Sequence, residues 1–294
     1  MTTTETEIFN QPLAAVLAEP SKIGTEISIT GKWVPRTPNG LFRKSTDSRE
    51  MLREWADIHA GAKADPGILA TEINHAVGAD AVLVHHTFRD AAALDHYFST
   101  TATQHMAALS NVAMPERHLV RGLDIPVAVT EAVLAKGVPA TFGRLAFGYV
   151  RHAYQQPDRA TAIEVTAKWT CKSRDRAALA ELKHWWQRVG TDAHAIEKGL
   201  RRYEVYEVSG ENALIIHETF ENTKELQFHL AKGTAHKYKS EIDKIAAPEC
   251  YFFRGPVSWT IRTYSKFLHL PATYSSLGSH FTRNGGSMID GVAG

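Results

Sequence analysis

The sequence predicts an α+β fold made of two tandem ferredoxin-like units, each of order β-α-β-β-α-β, with their antiparallel sheets packed face to face. The first observation is an internal repeat. Gly78-Ala-Asp-Ala-Val-Leu-Val-His-His-Thr-Phe88 aligns with Gly210-Glu-Asn-Ala-Leu-Ile-Ile-His-Glu-Thr-Phe220, with Gly78/Gly210, Ala81/Ala213, His85/His217, Thr87/Thr219 and Phe88/Phe220 identical. Ordinary residue frequencies give fewer than about one such match by chance. The register continues through Leu94/Leu226, Pro115-Glu116/Pro248-Glu249, Arg121-Gly122/Arg254-Gly255 and Lys32-Trp33/Lys168-Trp169. The second observation is that both halves show the same succession of periodicities. The third is length: 294 residues make room for two domains of about 140 residues each.

Each copy opens on a strand of alternating apolar and polar residues, Ile27 to Val34 and Ile163 to Thr170, as a half-buried strand requires. A helix follows over about Asp47 to Ala60 and Asp175 to Val189, with apolar residues three and four apart. The Asp at each start complements the helix N-terminus. Two strands joined by a turn come next, Ile68 to Ala76 with Ala81 to Phe88, and Leu200 to Val208 with Ala213 to Phe220. Val77-Gly-Ala-Asp80 and Ser209-Gly-Glu-Asn212 supply hairpin residues. A second helix covers Ala91 to Val112 and Thr223 to Ile245, with Gly233 expected to bend or break the later one. Closing strands end at Arg121 and Arg254, and extensions at 127–149 and 258–281 add a strand or brace.

That order is the split βαβ arrangement, whose helices cover one sheet face and leave the other to be packed on something else. A second copy in the same chain supplies the partner, so a monomer suffices, with a homodimer left open. The expected partition is an N-terminal extension 1–22, a first domain 23–151, a linker 152–160, a second domain 161–283 and a flexible tail 284–294.

Hydrophobic residues are 44% and charged residues 22%, with a formal net charge of +1. Lys and Arg are scattered among acidic residues, which argues against a nucleic-acid surface. The opening MTTTETEIFNQ has neither a basic region nor an apolar core, and no apolar run nears the ~20 residues that cross a bilayer. A cytoplasmic protein without membrane contact is expected. Cys171 and Cys250 are too few for a disulfide framework or a Cys-rich zinc site; two reduced thiols are expected, with a single bridge left open.

Asp65-Pro66-Gly67-Ile68-Leu69, Glu72 and His85-His86-Thr87-Phe88-Arg89-Asp90 resemble the antibiotic biosynthesis monooxygenase group of dimeric α+β barrels. The second copy is similar through Glu197-Lys198-Gly199-Leu200, Tyr203-Glu204-Val205-Tyr206, His217-Glu218-Thr219-Phe220 and Leu226-Gln-Phe-His229, ending near His236. The resemblance spans each copy without its extension. It implies a pseudo-dimeric α+β barrel with a cavity between the sheet and helices of each unit. It further implies an oxidoreductase, a cofactor-independent monooxygenase using dioxygen on a small aromatic or polyketide-like substrate. Cyclisation, isomerisation and non-catalytic small-molecule or haem binding occur on the same fold. In the family the acid of the third strand works with the aromatic two residues on: Glu218 with Phe220 here, and His86 with Phe88. A helix His matches His229, where the first copy has Tyr97. In the haem-degrading branch an axial His sits in a setting that Ala235-His236-Lys237-Tyr238 resembles, but the accompanying Asn and Trp are replaced by Trp169 and His229. No cofactor is therefore expected, with haem the alternative.

Histidine is abundant, 15 of 294 residues, and imidazole titrates near ~6.5, suited to acid–base work. Neighbouring strand residues point to opposite faces. His86 with Val84 and Phe88, and Glu218 with Ile216 and Phe220, would thus share the cavity face, while His85 and His217 would face the other copy. The plainer reading is that all four only hydrogen-bond. His229 and His236 lie two helical turns apart, about 10 Å, too far to chelate one metal, and no metal site is expected. Trp33 and Trp169 are either a flat wall for a planar substrate or core residues burying about 200 Å² each. Arg121 and Arg254 either hold an anionic substrate group or form salt bridges. The candidates are Glu218, His229 and His86 for catalysis, and Trp33, Trp169, Phe88, Phe220, Tyr97, His236, Arg121 and Arg254 for substrate contact. The second copy, the closer family match, is favoured as active. No phosphate loop, nucleophile elbow or dinucleotide fingerprint is present.

Overall fold

The computed structural model describes residues 25–36, 48–151, 160–276, 278–284 and 287–292. The expected extension 1–22, Asp47 and residues 152–159 of the linker lie outside them. The described residues form two compact units, one of 25–142 with 275 onward, the other of 143–274.

In the first unit β1 (Ile27–Pro35) lies between β3 (Val82–Phe88) and β4 (Ala113–Gly122), antiparallel to both, and β2 (Ile68–His75) flanks β3. Helices α1 (Ser48–Ala64), α2 (Ala91–Ser99) and α3 (Thr101–Val112) follow the split βαβ order, and α4 (Val127–Ala135) follows β4. The alternation of β1 and β3 decides which face is covered. Ile27, Ile29, Trp33, Val84 and Phe88 share one buried cluster with Met51, Trp55 and Ile58 of α1 and Leu94 and Tyr97 of α2. Burying a side chain of that size contributes about 1.5–3 kcal/mol, so this face fixes the register.

The second unit repeats the pattern. β6 (Ile163–Cys171) lies between β8 (Ala213–Phe220) and β9 (Ala246–Arg254), and β7 (Leu200–Val208) flanks β8. Its helices are α5 (Arg176–Ile196), α6 (Thr223–Ala231), α7 (Thr234–Ile245) and α8 (Trp259–Phe267). The Asp175 carboxylate accepts from Ala177 N and caps α5. Both hairpin turns place a glycine at positive φ, Gly78 at 75° and Gly210 at 77°, a region open to glycine at little cost. Cys171 and Cys250 are buried free thiols. No helix among the described residues is long and apolar enough to cross a membrane.

Two features differ from the sequence expectation. The second helix of the repeat is two helices in both units, divided at Thr100 as well as at Gly233. Thr100 leaves the helical region at φ −119°, ψ −84°, a break without any glycine signal. The extensions are the second. After the first copy, β5 (Ala140–Val150) pairs with β7 of the second unit; after the second, β10 (Ala272–Ser275) lies beside β9. The chain end, drawn from sequence as the close of the second domain and a flexible tail 284–294, forms strands β11 (Ser279–Asn284) and β12 (Ser287–Val292), and β11 pairs with β2 of the first unit. A hairpin there satisfies the backbone groups that the β2 edge would otherwise expose.

Candidate functional site

Both units carry a small cavity between sheet and helices. In the first it is lined by Trp33 of β1, Trp55 of α1, His86 of β3, Tyr97 of α2 and His118 of β4, with aliphatic side chains around them. Trp33 meets Trp55 edge-on at 5.4 Å between ring centres and His118 at 5.3 Å, and His86 lies 5.3 Å from Tyr97. His118 reaches this layer because Gly31 faces it across the sheet: a Cβ there would lie 2.1 Å from His118 Cδ2. The space open to the centres of water-sized groups is about 30 Å³, room for about two waters at roughly 10–15 Å³ each.

The polar atoms of this cavity are its main peculiarity. Trp55 Nε1, His86 Nε2, Tyr97 Oη and His118 Nδ1 are buried without a hydrogen-bond partner in the protein. Only the far side of His86 is held, its Nδ1 3.1 Å from Thr71 Oγ1. Burial lowers the pKa of His86 to about 3, with nearby His59 and His118 adding to the effect, and burial lowers His118 to about 3 as well. Burial, with the Asp65 carboxylate second, pushes the Tyr97 phenol up. Every group lining the cavity is therefore uncharged at neutral pH.

In the second unit the indole pair recurs, Trp169 against Trp186 at 5.6 Å, and Tyr251 takes the place of His118, facing Ala167 across the sheet. The remaining positions differ in charge. Glu218 stands for His86, His229 for Tyr97 and Glu197 for Asp65. His229 Nδ1 lies 2.6 Å from Glu197 Oε2, and its Nε2 3.3 Å from Glu218 Oε1. The other oxygen of Glu197 accepts from Thr234 N and Thr234 Oγ1, both at 2.7 Å. Gly233 makes this reach feasible, since a Cβ there would lie 2.6 Å from Glu197 Oε1. Burial alone would strip His229 of its proton, but Glu218 and Glu197 outweigh burial and raise its pKa to about 10. Glu197 is correspondingly held below the usual carboxylate range: burial opposes this, and the His229 charge and the hydrogen bonds prevail. Arg151, just beyond β5, donates to the carbonyls of Leu200, His194 and Glu197, closing the C-terminus of α5.

Of the sequence candidates, His86, Tyr97 and Trp33 meet at one cavity, and Phe88 packs 5.3 Å from Tyr97 beneath it. Glu218 and His229 meet each other, with Phe220 5.1 Å from His229. Trp169 lines the second cavity. His229 has its proton held by Glu197 and Glu218, which counts against it as a general base. The other candidates fall as follows. Arg121 pairs in register with Ser28, and Arg254 with Glu164, on the sheet face away from the cavities, where Arg254 is ion-paired to Glu164. His236 is exposed, its Nδ1 3.5 Å from Tyr264 Oη. His85 and His217, on that same far face, bond Thr30 at 2.9 Å and Thr166 at 3.0 Å. Trp55, His118, Glu197 and Tyr251 were not foreseen as site residues. The pairing of a strand glycine with an incoming histidine was the one signal that would have found His118.

No known family description and no curated protein matches the chain in sequence. Solved structures do. A "putative monooxygenase" from Fusobacterium nucleatum superposes with a TM-score of 0.52 at 9% identity, over 92% of this chain and 99% of that one. A protein of the same description from Lactobacillus acidophilus gives 0.45 at 14% identity over 78% and 91%. SnoaB, a cofactor-independent oxygenase from Streptomyces nogalater, gives 0.29 at 14% identity over 35% and 97%. The first of these and this chain share a fold, in keeping with the β-α-β-β-α-β order of each unit.

Proposed function

We propose that the chain is a monooxygenase-like enzyme that oxidises a small, flat, uncharged aromatic molecule in the cavity of the first unit, with His86 as general base. One observation carries this reading: the four buried polar atoms of Trp55, His86, Tyr97 and His118 that have no partner in the protein belong to side chains lining one cavity. A buried polar group left unpaired costs about 1–3 kcal/mol, and a ligand with hydroxyl and carbonyl groups removes that cost. In the second unit the positions matching Tyr97 and His86 hold His229 and Glu218, which form an ion pair instead. The fold shared with the Fusobacterium protein is consistent with the reaction class.

If the Nδ1–H of His86 donates to Thr71, Nε2 carries the lone pair, and the lowered pKa keeps it free. His86 Nε2 takes a proton from the substrate carbon or phenol. The substrate carbanion then reduces dioxygen, the co-reactant, and a C–O bond forms. His86 returns its proton to the peroxide, and loss of water with the second C–H proton leaves a carbonyl. A CH₂ group and O₂ thus become C=O and H₂O. A phenol near ~10 opposite a base near 3 costs about 10 kcal/mol if the ions separate. The step therefore needs substrate anion and imidazolium in contact within a dry site, where their attraction is strongest. His236 is exposed, and the proposed reading goes without a cofactor.

Oxygen uptake with a single-ring phenol bearing an activated CH₂ group as substrate tests this. His86→Gln is expected to lose about 10²-fold or more in kcat, and Glu218→Gln to retain turnover. Loss with Glu218→Gln alone would move the site to the second unit. A second reading, binding without turnover, draws on the small size of the cavity, which leaves little space for dioxygen beside a ligand; it predicts saturable binding of the same compound with no oxygen uptake.

A further inference from the structure

We infer that the cavity of the second unit is a separate binding site for a small neutral carbonyl compound, received by the indole N–H groups of Trp186 and Trp169. The two cavities hold the same tryptophan pair but differ in what surrounds it. In the second, every polar side chain at the wall has a proton to donate: Trp169, Trp186, Tyr251 and Lys239. Leu230, Ile242 and other aliphatic groups complete it.

Trp169 and Trp186 are 3% and 5% exposed, and neither Nε1 has a hydrogen-bond partner in the protein. The Trp169 indole lies near enough to the Tyr251 hydroxyl to influence its titration, yet the two do not meet in hydrogen-bonding geometry. An indole nitrogen only donates, so whatever completes this site must bring an acceptor. The burial of Tyr251 keeps its phenol neutral, with Glu218 next in effect, and it stands as a further donor.

Charge decides between a carbonyl and a carboxylate. Lys239 is already ion-paired with Asp243. The buried Glu197–His229–Glu218 cluster has two carboxylates around one imidazolium, a net negative charge, and Glu218 is felt at Tyr251. An anion would enter against that field, whereas a neutral acceptor would not. The space, about 30 Å³ for the centres of water-sized groups, suits a carbonyl head with a few carbons. The first cavity, where His86 and His118 can also accept, has no such bias towards acceptors.

The six tryptophans give separate indole N–H signals in a ¹H–¹⁵N spectrum of the full chain. The probes are acetone and the nearly isosteric acetate ion, with Trp169→Phe and Trp186→Phe assigning the signals. Acetone is expected to move the Trp186 and Trp169 signals downfield saturably, and acetate to leave them in place. Lys239→Met is expected to keep the acetone response. Absence of a saturable acetone shift would overturn the proposal, as would an equal response to acetate. If Trp186→Phe perturbs the fold, Trp186 signals in the unsubstituted chain still decide the matter, because the acetone–acetate comparison needs no variant.

Discussion

Asp65, Tyr97 and His86 in the first unit occupy the positions of Glu197, His229 and Glu218 in the second, yet Tyr97 and His86 are neutral side chains at a cavity whereas the second set is an ionic cluster. The frame is the same: the same strand order, the same indole pair and the same break between the two halves of the second helix. Three substitutions separate them, and the length of Glu197 sets how far the second cluster reaches. Glu197 is long enough to reach both His229 and the first N–H of α7. Asp65 in the first unit accepts from Gly67 N at 2.8 Å and stops there. A buried cation with two carboxylates is self-sufficient, and a buried phenol with a neutral imidazole is not. The ionic cluster therefore ties strand and helices of the second unit together, whereas the matching Tyr97 and His86 positions of the first leave polar atoms for a ligand.

The largest expected effect tests that distinction directly. Glu197→Ala removes the partner of His229 and of Thr234 while both stay buried, and breaking such a pair typically costs about 3–5 kcal/mol. Asp65→Ala loses one turn hydrogen bond, about 1 kcal/mol. Urea unfolding followed by hydrogen exchange in peptides of each unit should show the second unit weakened several-fold more. Equal losses would mean the ionic cluster contributes no more than a turn.

The two units should also answer pH in opposite directions. Folded His86 and His118 stay neutral down to about pH 3, whereas unfolded histidine takes a proton below ~6.5. Between those values the unfolded chain binds more protons, so the first unit weakens as pH falls, by up to about 1.4 kcal/mol per histidine per unit. Folded His229 keeps its proton to about pH 10; the unfolded one loses it above ~6.5, so there the folded form binds more protons. The second unit therefore weakens as pH rises through that window; on acidification lowered His194 gives it a smaller loss of the same sign as in the first unit, and lowered Glu197 adds to it in the carboxylate range. Peptide-resolved exchange at pH 5.5 and 8.5, corrected for intrinsic rates, should invert which unit opens first.

Much of this frame was legible in the sequence because repeats and alternation are local. Strand and hairpin bounds fell within a residue or two, and His86, Glu218 and His229 were singled out from their places on strand and helix. What was not legible depends on distance along the chain. Glu197 is 32 residues from His229, and nothing in its own segment says that it turns inward. His118 sits in a polar stretch, Arg117-His118, and becomes a cavity residue only through Gly31 on another strand. The hairpin of β11 and β12 carries glycines that read as a loose tail, and its pairing to β2 is a contact across some 200 residues.

That strand glycine supplies the next test. Gly31→Ala puts a Cβ 2.1 Å from His118 Cδ2 and 2.3 Å from its Nε2, so the ring must leave its place, at about 1–3 kcal/mol for overpacking. The second unit already has Ala167 opposite Tyr251, and Ala167→Gly should cost less, about 0.5–1 kcal/mol through backbone entropy. Thermal unfolding of the two variants should rank them in that order. A crystal structure of the first should show His118 displaced.

The smallest effect concerns the ends of the matching helices α4 and α8. Each is followed by a residue in the left-handed region, Gly137 at φ 70° and His269 at φ 55°. The chain closes both helices through that residue: Gly137 N donates to Leu134 O, His269 N to Lys266 O, and Leu270 N to Ser265 O. Glycine takes this conformation freely, while a side chain there costs about 1–2 kcal/mol. His269→Gly should therefore stabilise the second unit, but the added freedom of the unfolded chain offsets part of the gain, leaving about 0.5–1 kcal/mol. Gly137→Ala in the first unit should lose about as much. If His269→Gly destabilises instead, the imidazole makes a contact at that helix end which its exposed position does not suggest, and the two helix ends are not equivalent after all.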